Sequence, residues 1–227
     1  ERIDTYRRRL LAEGEVSRRT VQKSLVLLHG ILKRAKALKW IPTNPADDVE
    51  RVNLTRSGEF NVLTVEQVEA IAREARGMFG PAILVAAYTG LRTGELRALR
   101  WRDVDFAAAT IHVRRNLPAG GEEGAPKSGR VRSVPLIDDA ARALDGLSRR
   151  EHFTEPDDRV FAGETGGAVS EDAFRHALYE AMEAAGIDRE GFPAGPFRFH
   201  DLRHTFGTLA VQVFPLVDVQ AYMGHAD

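Results

Sequence analysis

Five basic side chains, set in four separate short segments of this 227-residue chain, are the residues best suited to chemistry. The first segment, Thr89-Gly90-Leu91-Arg92-Thr93-Gly94-Glu95-Leu96, puts Arg92 in a turn one residue before Thr93, a good N-cap for a following helix. A helix N-terminus attracts anions through its free N–H groups and its dipole, so a guanidinium beside it would strengthen a phosphate site. The same arginine could equally tie the turn to Glu95. The second segment, Phe197 to Phe206, places His200 and Arg203 on one face of a helix, with Leu202, Phe206, Leu209 and Val213 on the buried face. An imidazole beside a guanidinium suits proton transfer next to a bound anion. The plainer reading is a surface helix start with Asp201 favouring the dipole, and for His204 that reading is preferred. In the third, Tyr222-Met223-Gly224-His225, a helix ends at a glycine and His225 follows, where a histidine usually serves as a C-cap. The fourth, Pro126 to Leu136, carries Lys127 in a hairpin loop ahead of a strand, by default an exposed loop lysine. None of the four is decisive singly.

Elements to hold these residues are legible in the hydrophobic periodicity. A helical period runs from Thr20, as N-cap, through Val21, Leu25, Leu28, Leu32 and Ala35, and stops before Pro42. Asn44-Pro45 and the polar stretch Asn53 to Asn61 mark a linker. We therefore expect a helical domain at 1–52, a linker at 53–61 and a larger domain at 62–227. The larger domain opens on the capping-box pattern Thr64-Val65-Glu66-Gln67, with Gly77 as the helix stop. Pro81 begins a helix that closes at Gly90. Short β-prone runs follow at Val104 to Phe106, Thr110 to Arg114 and Val131 to Leu136, the last two joined by a glycine-rich loop. Helices resume at Asp138 to Leu147, at Ser170 to Ala185 with Phe174, Ala177, Leu178, Ala181 and Met182 inward, and from about His200. The fold class expected is mainly α with a small antiparallel β-sheet.

Composition narrows the setting. There is no cysteine, which removes disulfides and thiolate metal sites and permits a reducing cytoplasm. No apolar run approaches the roughly 20 residues of a membrane span; the longest, Ile83 to Tyr88, fits a buried helix, and no signal-peptide pattern opens the chain. Because it begins at Glu1, and neither end looks like a natural terminus, the chain reads as a piece of a longer protein. The net charge of −1 argues against a nucleic-acid partner until its distribution is seen: residues 1–40 hold eleven basic groups against four acids, a local +7. The candidates there for contact with DNA are Arg18, Arg19, Lys23, Lys33, Arg34 and Lys36. A basic helical face is otherwise just a solvated one.

Together, and in this order, the four segments resemble the tyrosine recombinase or phage-integrase family of site-specific recombinases, whose signature is a T-G-x-R-x-x-E-L box, a hairpin lysine, an H-x-x-R box and a late G-H pair. The resemblance spans the whole second domain. Residues 17–49 look like the end of the family's helical core-binding domain, which closes with the α+β catalytic domain around duplex DNA. It implies transesterification through a 3′-phosphotyrosyl intermediate, with no cofactor and no metal. Arg92 and Arg203 would hold the non-bridging oxygens, Lys127 would protonate the leaving 5′ oxygen, His200 would assist the tyrosine, His225 would bond the phosphate, and Glu95 would buttress the first box. The family's tyrosine follows the G-H pair by about nine residues, whereas this chain stops two after His225. Tyr6, Tyr88, Tyr179 and Tyr222 match no nucleophile position, so residues 1–227 are expected to bind DNA without cutting it. The resemblance further implies double-stranded DNA as partner, a homotetramer on paired sites, a monomer for this chain in free solution, no membrane, and a cytoplasmic, nucleoid-associated setting. Two rivals stand beside it. One is a catalytically inactive DNA-binding or regulatory module of the same fold. The other is a metal-dependent phosphohydrolase using His200-Asp201 with His176, His204 and His225-Ala226-Asp227.

Overall fold

The computed structural model describes residues 2–54, 58–126 and 129–224. The chain divides into two compact units, Glu1–Gly58 and Glu59–Asp227. In the first unit, α1 (Arg2–Glu13) packs on α2 (Arg18–Ala37). The cap of α2 is Ser17, in extended geometry, whose hydroxyl accepts from the Thr20 amide; the cap thus lies three residues before the one expected from the apolar period. The period itself is kept, since Val21 is buried and Leu25, Leu28, Leu32 and Ala35 are half-buried. Arg7 ties α1 to the segment after α2 through ion pairs to Asp4 and Glu50.

The second unit is assembled around α4 (Phe79–Thr89), an apolar helix buried along most of its length. A helix apolar on all sides must be covered on all sides, and α4 is packed by α3 (Val65–Glu74), α6 (Asp138–Ser148), α7 (Glu171–Ala184) and α8 (Asp201–Ala210). Phe174 meets the rings of Phe79 and Phe199 edge-on at 5.6 and 5.7 Å. Thr64 and Gln67 form the reciprocal capping box at the start of α3. That helix ends at Glu74, three residues short of Gly77, and α4 starts two residues ahead of Pro81, which occupies its first turn. After α5 (Thr93–Ala98) and a single 3₁₀ turn at Trp101–Asp103 come β1 (Val104–Asp105), β2 (Thr110–Val113) and β3 (Arg132–Pro135). They form an antiparallel sheet in that order, with Val104 opposite Ile111 and Val113 opposite Arg132. The last described helix is α9 (Leu216–Met223).

Three expectations are corrected. Val213 lies past the end of α8 and is 76% exposed, because the helix stops at Ala210 and the apolar period has no backbone to carry it further. Residues 60 and 61 are no linker: Asn61 is buried, bonding Gly195 O and Asp201, and Phe60 stands 5.9 Å from the His204 ring. The N-cap of α5 is Arg92 and not Thr93, since the extended backbone at Arg92 lets its amide reach the Glu95 carboxylate.

Candidate anion-binding site

Gly90 closes α4 in the left-handed conformation, φ +65°, which favours glycine. A Cβ there would also stand 2.4 Å from a Phe206 ring atom, so the turn leading to Arg92 lies hard against α8. The chain then re-enters a helix at Arg92. Glu95, one turn on, has a side chain with no solvent exposure, and its carboxylate accepts from the Arg92 amide at 2.8 Å and from Arg92 Nη1 at 3.0 Å. Arg92 therefore does tie its turn to Glu95, and still presents a side chain 23% exposed.

Arg203 reaches the same place from α8. It is 4% exposed, and its Nη1 donates to Gly90 O at 2.6 Å while Nη2 donates to Met223 O at the end of α9. Burial first, and then the positive charges of Arg92 and Arg132, push its pKa down to about 10. The influence of both charges on Arg203 reflects how near the three guanidinium groups lie. His200, the N-cap of α8, lies one turn before Arg203 and stands edge-on to His204 at 5.6 Å. It keeps an exposed edge, yet desolvation of its inner side, with the charges of His204, Arg203 and Arg92, lowers its pKa against the opposing pull of Asp201. Lys127 and His225 lie outside the described residues. The root of the hairpin that carries Lys127 is fastened to α5: Leu117 N donates to Gly94 O at 2.8 Å and Arg97 Nη1 to Leu117 O at 2.8 Å.

Sequence reasoning missed Arg132. From β3 its two terminal nitrogens donate to the two oxygens of Glu95, each at 2.7 Å, and its Nε donates to Tyr222 O at 2.7 Å. Burial raises the Glu95 carboxyl, but the bonds and charges of Arg132 and Arg92 outweigh it and hold the group below the usual carboxylate range. A signal was available. Alternation along a strand puts Arg132 on the same side as the buried Val134, and an arginine facing a core needs a buried acid.

The result is three guanidiniums from α5, β3 and α8 around one buried carboxylate. Two positive charges are left over, an arrangement suited in charge and donor geometry to an oxyanion. Beside it opens a groove of about 990 Å³, bordered by Thr93 and His200 and flanked by Arg97, Arg175, Arg189 and Arg198. As for the metal-site rival, no group of three or more His, Cys, Asp or Glu among the described residues could hold a metal ion. In the first unit Arg18, Arg19, Lys23, Lys33, Arg34 and Lys36 are all exposed on α2. Arg18 is bonded to Asn53 O, while Arg19, Lys23, Lys33 and Arg34 share roughly a third of the helix circumference.

Residues 61–227 match the model of the phage integrase family. The chain is similar to prophage integrase IntR of Escherichia coli (strain K12), 34% identical over 127 residues, covering 56% of this chain and 31% of that protein. It is also similar to tyrosine recombinase XerC of Xanthomonas axonopodis pv. citri (strain 306), 31% identical over 165 residues, covering 72% of this chain and 48% of that protein. The chain thus spans about half, or less, of the length of these relatives. Among solved structures, the Tn1549 transposon integrase in complex with transposon right end DNA shares the fold, with a TM-score of 0.80 at 21% identity over 99% of this chain and 77% of that one. A lambda integrase tetramer bound to a Holliday junction gives a TM-score of 0.75 at 20% identity over 99% of this chain and 63% of that one.

Proposed function

The chain belongs to the phage integrase family, and we propose that it forms the phosphate-handling part of a site-specific DNA recombinase that cleaves and rejoins strands through a 3′-phosphotyrosyl intermediate. The observation that carries this reading is the meeting of Arg92 and Arg203, 111 positions apart in the sequence, at one turn beside His200.

In this mechanism a DNA phosphate enters between the two arginines. Attack by a tyrosine oxygen adds negative charge to the non-bridging oxygens, and donors already fixed in place stabilise that charge without reorganising, an effect of about 3–4 kcal/mol for one well-placed donor. Arg203 is fixed by two backbone carbonyls and Arg92 by Glu95. His200, held neutral near pH 7 by its lowered pKa, is suited to take the tyrosine proton. Lys127 donates a proton to the departing 5′ oxygen, and His225 adds a bond to the phosphate. Tyr88 is buried, Tyr179 lies under Arg189 and the Tyr222 ring packs on Phe214, so none of these three is assigned as the nucleophile. The retained phosphotyrosyl bond makes ATP unnecessary. Duplex DNA is the partner, gripped in addition by the basic face of α2, with a tetramer forming on paired sites and a monomer for this chain alone.

The test uses the full-length protein with a nicked suicide duplex of its own flanking DNA, in EDTA. A covalent protein–DNA adduct is expected, and Arg92→Ala or Arg203→Ala should abolish it while duplex binding is retained. Duplex binding without any adduct would favour the inactive DNA-binding module instead.

A further inference from the structure

Arg132 has no part in the roles assigned above, yet each of its three nitrogens donates a hydrogen bond. Its bidentate fork fixes the plane of the Glu95 carboxylate, the same group that holds Arg92 by side chain and amide. Its Nε bonds Tyr222 O, while Arg203 bonds the next carbonyl, Met223 O. These carbonyls belong to the last turn of α9, whose end leaves such groups without helical partners. Gly224 turns the chain away in the left-handed conformation, and a Cβ there would lie 3.2 Å from Arg132 Cδ, so the end of α9 is seated on the arginine stem.

We infer that Arg132 is a positioning residue: it cross-links β3, α5 and the end of α9, and through Glu95 it sets the direction in which Arg92 faces the phosphate. The consequence is that the pocket is complete only when the strand following the hairpin loop is docked. Removing Arg132 leaves Glu95 bound to Arg92 alone, each carboxylate oxygen keeping a single donor, so that the carboxylate can tilt and carry that guanidinium with it. The inference rests on the reading of this site as a phosphate pocket.

The experiment is a double-mutant cycle on this chain, read by titration with inorganic phosphate and by the NMR signal of the Arg92 Nε–H group in the anion-free protein. Arg132→Met should weaken phosphate binding by about 10- to 100-fold, the range seen when a supporting partner is lost or a binding group misplaced, and should move the Arg92 signal. In a Glu95→Gln background the same change should have almost no further effect, because the route through Glu95 is already cut. Arg132→Lys, which keeps the charge and one bond, should fall between, and it serves if the methionine variant does not fold. Equal losses in both backgrounds would show Arg132 acting on the phosphate directly and overturn the inference. So would an Arg92 signal and an affinity unmoved in folded Arg132→Met. Wild-type protein that binds no phosphate would overturn the pocket reading and this inference with it, whereas binding lost only in Arg92 or Arg203 variants would overturn this inference alone.

Discussion

Replacing Glu95 by glutamine should be the most damaging isosteric change in the second unit. Its carboxylate has no solvent exposure and takes four donors, two from Arg92 and two from Arg132. Glutamine offers one oxygen, and its amide nitrogen turns a donor toward guanidinium donors. The three arginines are then left without a counter-charge. Breaking a buried ion pair by removing one partner costs about 3–5 kcal/mol, and a unit of this size shifts by about 2–4 °C in Tm per kcal/mol. The melting temperature of Glu95→Gln should therefore fall by about 6–20 °C at pH 7, by circular dichroism or differential scanning fluorimetry. Two further readings follow from the same charges. Phosphate should raise the Tm of the variant less than that of the wild type, since Arg92 has lost the carboxylate that aims it at the anion. Because the folded pKa of Glu95 lies below the ordinary 4.5, its stabilisation is complete above that value and is lost as the pH falls through the lower folded one. The gap in Tm should thus be constant from pH 7 to 5 and shrink in more acid solution. A fall of less than about 2 °C, or a gap unchanged down to pH 3, would refute the claim that this carboxylate is the counter-charge of the site.

Three other outcomes are expected. Gly90→Ala should lose about 2–5 kcal/mol in a denaturant titration, from the left-handed backbone and the clash with Phe206 together; a loss below about 1 kcal/mol would show that α8 yields easily. The imidazole of His200 should titrate below 6.5 by NMR, and because the unfolded chain binds that proton more readily, stability should rise as the pH climbs through the histidine range; a value at or above 6.5 would contradict the packing described for it. Charge reversal at Lys23 and Arg34 should weaken duplex binding for all sequences alike and lower the slope of log K against log salt by about 1 for each phosphate no longer neutralised; an unchanged slope would place the DNA elsewhere.

What could be read from the sequence was local. Gly90 and the Thr64–Gln67 box mark helix ends because the groups that satisfy those ends lie within a turn of them. Phe174, Leu178 and Ala181 show their inward face because a helix repeats that face every turn. The pattern also pointed to Arg92, His200 and Arg203, since each sits at a turn or helix start whose chemistry is written in neighbouring residues. The cap at Ser17, the packing of Asn61 and the early end of α8 left weaker traces, each decided by backbone geometry or by a distant surface. Arg132 shows the limit most clearly. Its partner Glu95 is 37 positions away, and Arg203 finds Gly90 across 113. Nothing in a stretch of chain says which buried acid will meet which buried arginine, because that choice is made when helices and sheet close on a shared core and each desolvated charge must find a counter-charge within reach.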